Sequence, residues 1–181
     1  MLTSTHEILA ATRLENVRYA IRDLAVLADD LARQGKQILP LNIGDPNKFD
    51  FRTPPHLVEA VVKALRDNQN GYAPSLGIPE AIEAIRAQAD CQGIRNVQSV
   101  FVTGGVSEGL EVCLTALVNP GDNVLIPAPD YPLYSAVLAK LDAVINSYYL
   151  DEDHGWEPDV DEIAAKLNDR TRAIVVINPN N

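Results

Sequence analysis

The sequence predicts an α/β fold built on a mostly parallel sheet, and three observations carry that reading. Four β-branched or apolar runs fall in the second half of the chain: Val100-Phe101-Val102, Val124-Leu125-Ile126, Val144-Ile145 and Ala173 to Ile177. Helix-like stretches separate them at Ser107–Leu117, Tyr131–Leu141 and Val160–Leu167. Strands that alternate with helices at this spacing form βαβ units, whose crossovers make neighbouring strands parallel. Hydrophobic residues make up 46% of the 181, enough for a globular core and too many for a disordered tail.

Ahead of the strands the pattern is helical. Between Tyr19 and Arg33, Ile21, Leu24, Ala25, Ala28 and Leu31 recur at helical spacing, and Gly35 supplies a stop. A short extended piece, Ile38 to Ile43, runs into the turn Gly44-Asp45-Pro46-Asn47. Thr53 is expected to cap a helix with Pro54 at its first position and Leu57, Val58, Val61, Val62 and Leu65 on its apolar face. Asn70-Gly71 ends that helix. A loop rich in Gly, Pro and Ser leads to Pro79, after which Ile82, Ile85 and Ala89 mark another helix. Later, Asn119-Pro120-Gly121-Asp122 reads as a helix-to-strand turn, and Asp151 to Gly155 as an exposed acidic loop. A boundary falls near Phe51, with an arm and part of a smaller domain before it (1–50) and the start of a larger α/β domain after it (51–181). There is no internal repeat.

Composition excludes several partners. A formal net charge of −10 repels a polyanion such as DNA, and no basic patch overrides it. No apolar run is long enough to span a bilayer, and the N-terminus lacks the basic-then-apolar order of a signal peptide, so a cytoplasmic protein is expected. Cys91 and Cys113 sit in helix-like stretches without metal-ligand spacing, which implies buried, reduced thiols.

The chemistry concentrates in a few turns. Thr103-Gly104-Gly105-Val106-Ser107 follows a strand-like run and opens a helix, where free backbone N–H groups and the positive end of the helix dipole converge. Glycine lets an anion approach the backbone, and Ser107 adds a hydroxyl; a tight turn can need the same glycines with no ligand at all. Tyr131, in Pro129-Asp130-Tyr131-Pro132-Leu133-Tyr134, stands just past a strand, where an aromatic can stack on a planar heterocycle or merely close a helix N-terminus. Asn181, at the end of Ile177-Asn178-Pro179-Asn180-Asn181, can donate through its amide or be solvated. Gly44 offers a second backbone donor within a turn. Gly104-Gly105 lacks the GxGxxG spacing of a dinucleotide site, and no acidic residue closes a following strand to bind ribose.

Taken together these segments resemble the class I/II aminotransferases, the fold-type I enzymes that use pyridoxal 5′-phosphate. Val102 to Leu110 is similar to the family's phosphate cup TxGxSEAL, Pro129 to Tyr134 to its PxYPxY, Gly71 to Pro79 to its YxxxxGxxxLR, and Asn178 to Asn181 to the front of its NPNNPTG. Glu80-Ala81-Ile82-Glu83 departs from the usual Leu-Arg. The resemblance implies a three-layer sandwich, incomplete at its C-terminus, and an N-terminal part of a longer enzyme. It implies that Gly105, Val106 and Ser107 hold the cofactor phosphate, that Tyr131 covers the pyridine ring, and that Asn181 bonds the phenolic oxygen. By the same resemblance Gly44 meets the substrate carboxylate, and Tyr72 reaches a neighbouring subunit's phosphate across a homodimer. Tyr134 is expected to pack. Tyr19 to Leu24, Leu41 to Phe49 and Asp151 to Asp161 are most similar to bacterial and archaeal alanine aminotransferases, which implies transamination between alanine and a 2-oxo acid, with 2-oxoglutarate as partner.

The family's Schiff-base lysine, its pyridine-nitrogen aspartate and its substrate-binding arginine belong to a C-terminal half with no counterpart here. The lysines present are Lys36, Lys48, Lys63, Lys140 and Lys166, all but Lys48 expected on the solvated side of helices. The 181 residues alone are therefore expected to be inactive. A β-lyase on the same fold, or a non-catalytic module that keeps the phosphate cup, are the alternative readings.

Overall fold

The computed structural model describes residues 9–17, 20–41 and 44–179. Six α-helices are present among them: α1 (Ala20–Arg33), α2 (Pro55–Arg66), α3 (Pro79–Cys91), α4 (Val106–Leu117), α5 (Leu133–Lys140) and α6 (Val160–Lys166). Four strands accompany them: β1 (Asn123–Ala128), β2 (Val144–Asp151), β3 (Glu157–Pro158) and β4 (Thr171–Ile174). The chain divides into two compact units, one formed by Met1–Asp30 with Leu110–Asn181 and the other by Leu31–Gly109.

The first unit holds the sheet, in the order β3-β2-β1-β4. β1 pairs in parallel with β2 from Asn123↔Val144 to Ala128↔Tyr149, and in parallel with β4 at Val124↔Ala173 and Leu125↔Ile174. β3 is antiparallel to β2. β1 is central and covered on both faces, which explains why its sequence is continuously apolar rather than alternating. Val124 and Ile126 pack with Leu114 of α4, Val118, and Val137 and Leu138 of α5, and Tyr134 joins the edge of this cluster. Tyr134 thus packs, as the sequence implied.

Local chemistry sets the connections. The Asp122 carboxylate accepts the Asn119 N–H at 2.8 Å and its side-chain amide at 3.1 Å, while Gly121, at φ 77°, donates its N–H to Asp142 at 2.8 Å. The Asn119 N–H bond holds the Asp122 carboxyl below its ordinary range. Arg172 of β4 donates to the Leu117 carbonyl at 3.1 Å, capping the end of α4. Asp159 caps α6 by accepting the N–H groups of Asp161 and Glu162. The acidic loop after β2 is exposed, with Asp151 accepting from Asp153 and meeting His154 at 2.7 Å.

The second unit contains α2 and α3 and has no buried residue among those described. A backbone bond joins Leu76 and Val102, whose N–H donates to the Leu76 carbonyl at 2.8 Å. Gly77 beside it has φ +115°, and an added Cβ would lie 2.5 Å from Val102 Cγ2. Only glycine fits there.

Several expectations are corrected. Val100-Phe101-Val102 is not a strand of the sheet; its one ladder-like bond goes to the Leu76 loop. β3 was not foreseen, since two residues carry no periodicity. β4 spans Thr171–Ile174 rather than running to Ile177, and β2 extends to Asp151. Thr53 does not cap α2. Pro54 precedes Pro55, the residue before a proline is kept from the helical region, and Pro54 is accordingly extended (ψ 134°) as the N-cap. The same rule keeps Tyr131, which precedes Pro132, out of α5, whose first residue is Leu133. Cys91 and Cys113 are exposed free thiols, not buried ones, because α3 buries nothing and α4 buries only Leu114.

Candidate functional site: a backbone anion cup and a cavity at the strand tips

The loop Thr103-Gly104-Gly105 is held by its own hydrogen bonds. The Thr103 hydroxyl donates to the Gly105 carbonyl at 2.9 Å, and the Gly104 N–H donates to the Glu108 carboxylate. Gly105 takes φ +146°, a conformation that side chains rarely adopt, and a Cβ there would meet nothing within 4 Å. The requirement for glycine is therefore conformational, and the space in front of it is open. α4 begins at once with Val106, so the N–H groups of its first turn, Val106 and Ser107 among them, have no intrahelical acceptor. Val106 and Ser107 are exposed. Open space, free N–H groups, a hydroxyl and a helix N-terminus are the donor set that a phosphate monoester needs. One feature opposes an anion: the Glu108 carboxylate lies beside the cup.

Gly44 and Tyr72 belong to the same unit. Gly44 precedes a 3-10 turn at Pro46–Phe49, with nothing within 4 Å of where a Cβ would stand. Tyr72 is fully exposed.

In the sheet-bearing unit, Tyr131 is half-buried directly beyond β1, and its carbonyl accepts the Tyr134 N–H at 3.2 Å. Asp130, to which the sequence assigned no role, has a buried Oδ2 without a hydrogen-bond partner among the described residues, and burial raises its carboxyl above the ordinary range. Near the carboxyl ends of β1 and β2, and beyond β4, lies an open cavity of about 660 Å³ lined by Pro127, Tyr148, Trp156, Ile177 and Asn178 among others. Ligands of open α/β sheets bind at this end of the strands. Tyr148 and Trp156 were not singled out from sequence; their positions on β2 and after it give no local motif. Asn178 lies in a bend on this rim, and Asn181 falls outside the described residues.

The lysines depart from expectation in part. Lys140 and Lys166 are half-buried rather than solvated, each ion-paired with a glutamate, Glu111 and Glu162 respectively. Lys166 also donates to the Ser147 carbonyl and lies 5.4 Å from the Tyr149 ring centre, because α6 packs along β2. Among the described residues no group of three or more His, Cys, Asp or Glu could hold a metal ion. No helix among them is long and apolar enough to cross a membrane.

Comparison with known proteins identifies the family. Residues 36–181 match the family of class I and II aminotransferases. The glutamate-pyruvate aminotransferase AlaA of Escherichia coli (strain K12) is 40% identical over 174 residues, which cover 94% of this chain and 43% of that protein. An alanine aminotransferase of Mycobacterium tuberculosis is 39% identical over 175 residues, 94% of this chain and 41% of that protein. The solved alanine aminotransferase of Pyrococcus furiosus superposes with a TM-score of 0.88 at 40% identity, over 96% of this chain and 44% of that one. The chain thus spans less than half the length of these relatives. Enzymes of the family depend on pyridoxal 5′-phosphate. By sequence match and by fold, the chain belongs to the class I and II aminotransferases.

Proposed function

We propose that this chain is the cofactor-cup portion of a pyridoxal 5′-phosphate-dependent aminotransferase that moves the amino group between alanine and a 2-oxo acid, 2-oxoglutarate being the expected partner. The observation that carries this reading is the turn Gly105-Val106-Ser107, shaped for a phosphate monoester, in a chain of this family. When bound, the cofactor supplies an electron sink for the carbanion formed at the amino acid's Cα.

The roles of this chain's residues follow from their chemistry. The N–H groups of Gly105, Val106 and Ser107 and the Ser107 hydroxyl anchor the phosphate, fixing the heterocycle by a part that does not react. Tyr131 covers one face of the ring and keeps water from it. The Asn181 amide donates to the phenolic oxygen and holds its negative charge. Gly44 donates its N–H to the substrate carboxylate. Tyr72, fully exposed here, extends to the phosphate held by a second copy, so the enzyme works as a homodimer. The amine that bonds the cofactor and moves the proton is not among Lys36, Lys48, Lys63, Lys140 and Lys166. The 181 residues by themselves bind the cofactor's phosphate without turning over. A cytoplasmic setting fits the acidic composition.

The test is a coupled assay on the polypeptide expressed from its complete reading frame. Pyruvate should form from alanine only when 2-oxoglutarate is supplied. Pyruvate or ammonia released without an oxo acid would mark a lyase and overturn the transaminase reading.

A further inference from the structure

The parallel ladder between β1 and β4 stops for a chemical reason. Val175, the residue after β4, donates its N–H to the Leu125 carbonyl at 2.8 Å. In a parallel pair the same residue's carbonyl would next accept the N–H two positions further along β1. That position is Pro127, which has no N–H to give. The Val175 carbonyl is nevertheless satisfied. The Tyr148 hydroxyl, reaching from β2, donates to it at 2.6 Å. Tyr148 is 2% exposed, and Pro127 is fully buried, so water is a poor substitute at this point. Burial also raises the Tyr148 hydroxyl above its ordinary pKa, which keeps it a donor at working pH.

We infer that the Tyr148 hydroxyl replaces the backbone donor missing at Pro127, and that it is the positioning residue for the segment Val175–Pro179 that leads to Asn181. The segment it fixes forms one wall of the strand-tip cavity, with Val176, Ile177, Asn178 and Pro179 in the lining. The consequence for cofactor binding rests on the proposed role of Asn181; the consequence for the segment does not. Proline at 127 has a use in this arrangement: it ends the ladder, so the chain beyond Val175 follows the hydroxyl rather than continuing flat along β1.

A double-mutant cycle tests the assignment in the 181-residue chain, because Tyr148→Phe keeps the ring and removes only the donor, while Pro127→Ala restores a backbone N–H. Amide hydrogen exchange is read at Val175, with Val124 and Ile126 of β1 as internal controls. Tyr148→Phe alone should speed exchange at Val175 about tenfold and change the β1 amides by less than about twofold. In the Pro127→Ala background the same substitution should change Val175 by less than about threefold, and the amide created at position 127 should be protected. An equal effect of Tyr148→Phe in both backgrounds, or none in either, overturns the assignment. Titration with pyridoxamine 5′-phosphate separates the two layers. Weaker binding by Tyr148→Phe, rescued by Pro127→Ala, supports the link to the cofactor. No binding by the unsubstituted chain, with the exchange cycle intact, overturns the cofactor reading and leaves the hydroxyl's role supported.

Discussion

Gly77 and Gly105 are both left-handed glycines, yet they are required for different reasons. At Gly105 (φ +146°) a Cβ would meet nothing, so Gly105→Ala costs only backbone strain, about 1–3 kcal/mol. At Gly77 (φ +115°) the same strain is joined by a collision with Val102, and Gly77→Ala should cost about 3 kcal/mol or more. Urea denaturation of the two variants should rank them in that order. Ser107→Ala should leave stability unchanged and weaken binding of pyridoxamine 5′-phosphate about tenfold, the effect of losing one bond to a charged group. Asp130 yields a pH signature. Its folded pKa is raised by burial, so its stabilising, protonated form is complete below the ordinary value of 3.8 and is lost as pH rises through the folded value. Asp130→Asn should therefore raise the urea midpoint at pH 7 and leave it unchanged near pH 3. At this scale the glycine turn that opens α4 could be read because its residues are contiguous in the sequence. Tyr148 could not, since its partner Val175 is 27 positions away and the reason for their bond is a missing proton on a third residue.

Among the elements, β2 shows how a strand is finished where its neighbour β3 is too short to pair with it. Beyond the short pairing with β3, the Lys166 ammonium donates to the Ser147 carbonyl and the Glu162 carboxylate accepts the Tyr149 N–H at 3.0 Å. An ion pair from α6 thus occupies two backbone groups that another strand would otherwise pair with. Lys166 and the Tyr149 N–H hold the Glu162 carboxyl below its ordinary value. A depressed carboxylate contributes fully above the unfolded value of 4.5 and loses its contribution as pH falls through the folded one. Glu162→Gln should speed exchange at the Tyr149 amide at pH 6, and the difference from the unsubstituted chain should shrink as pH falls below 4.5 and vanish once it has passed the folded value. The helices were the legible part, because apolar spacing and proline mark their bodies and starts. Val100-Phe101-Val102 misled for the opposite reason: a three-residue apolar run has strand composition whether it joins a sheet or seals a loop.

For the whole molecule, the distribution of burial is uneven. Every fully buried residue described lies at or after Leu114, in the sheet-bearing unit, while Leu57, Val58, Val61 and Leu65 of α2 are exposed. Local stability follows buried apolar contact. Amides of α2 and α3 should exchange about a hundredfold or more faster than those of Leu125 and Ile126, and thermal melting of the chain should be broad rather than one sharp cooperative step. The α/β class and parallel sheet could be read from the alternation of runs, because that pattern is set by local periodicity. Which apolar faces find cover could not be read the same way, since burial depends on contacts between segments far apart in the chain. The central claim is that Gly105, Val106 and Ser107 form a cup for a phosphorylated pyridine. Amide exchange at these three residues, measured with pyridoxamine 5′-phosphate and with unphosphorylated pyridoxamine, tests it most directly. Slowed exchange with the phosphate ester alone is the expected result; equal effects of the two compounds, or none from either, would contradict it.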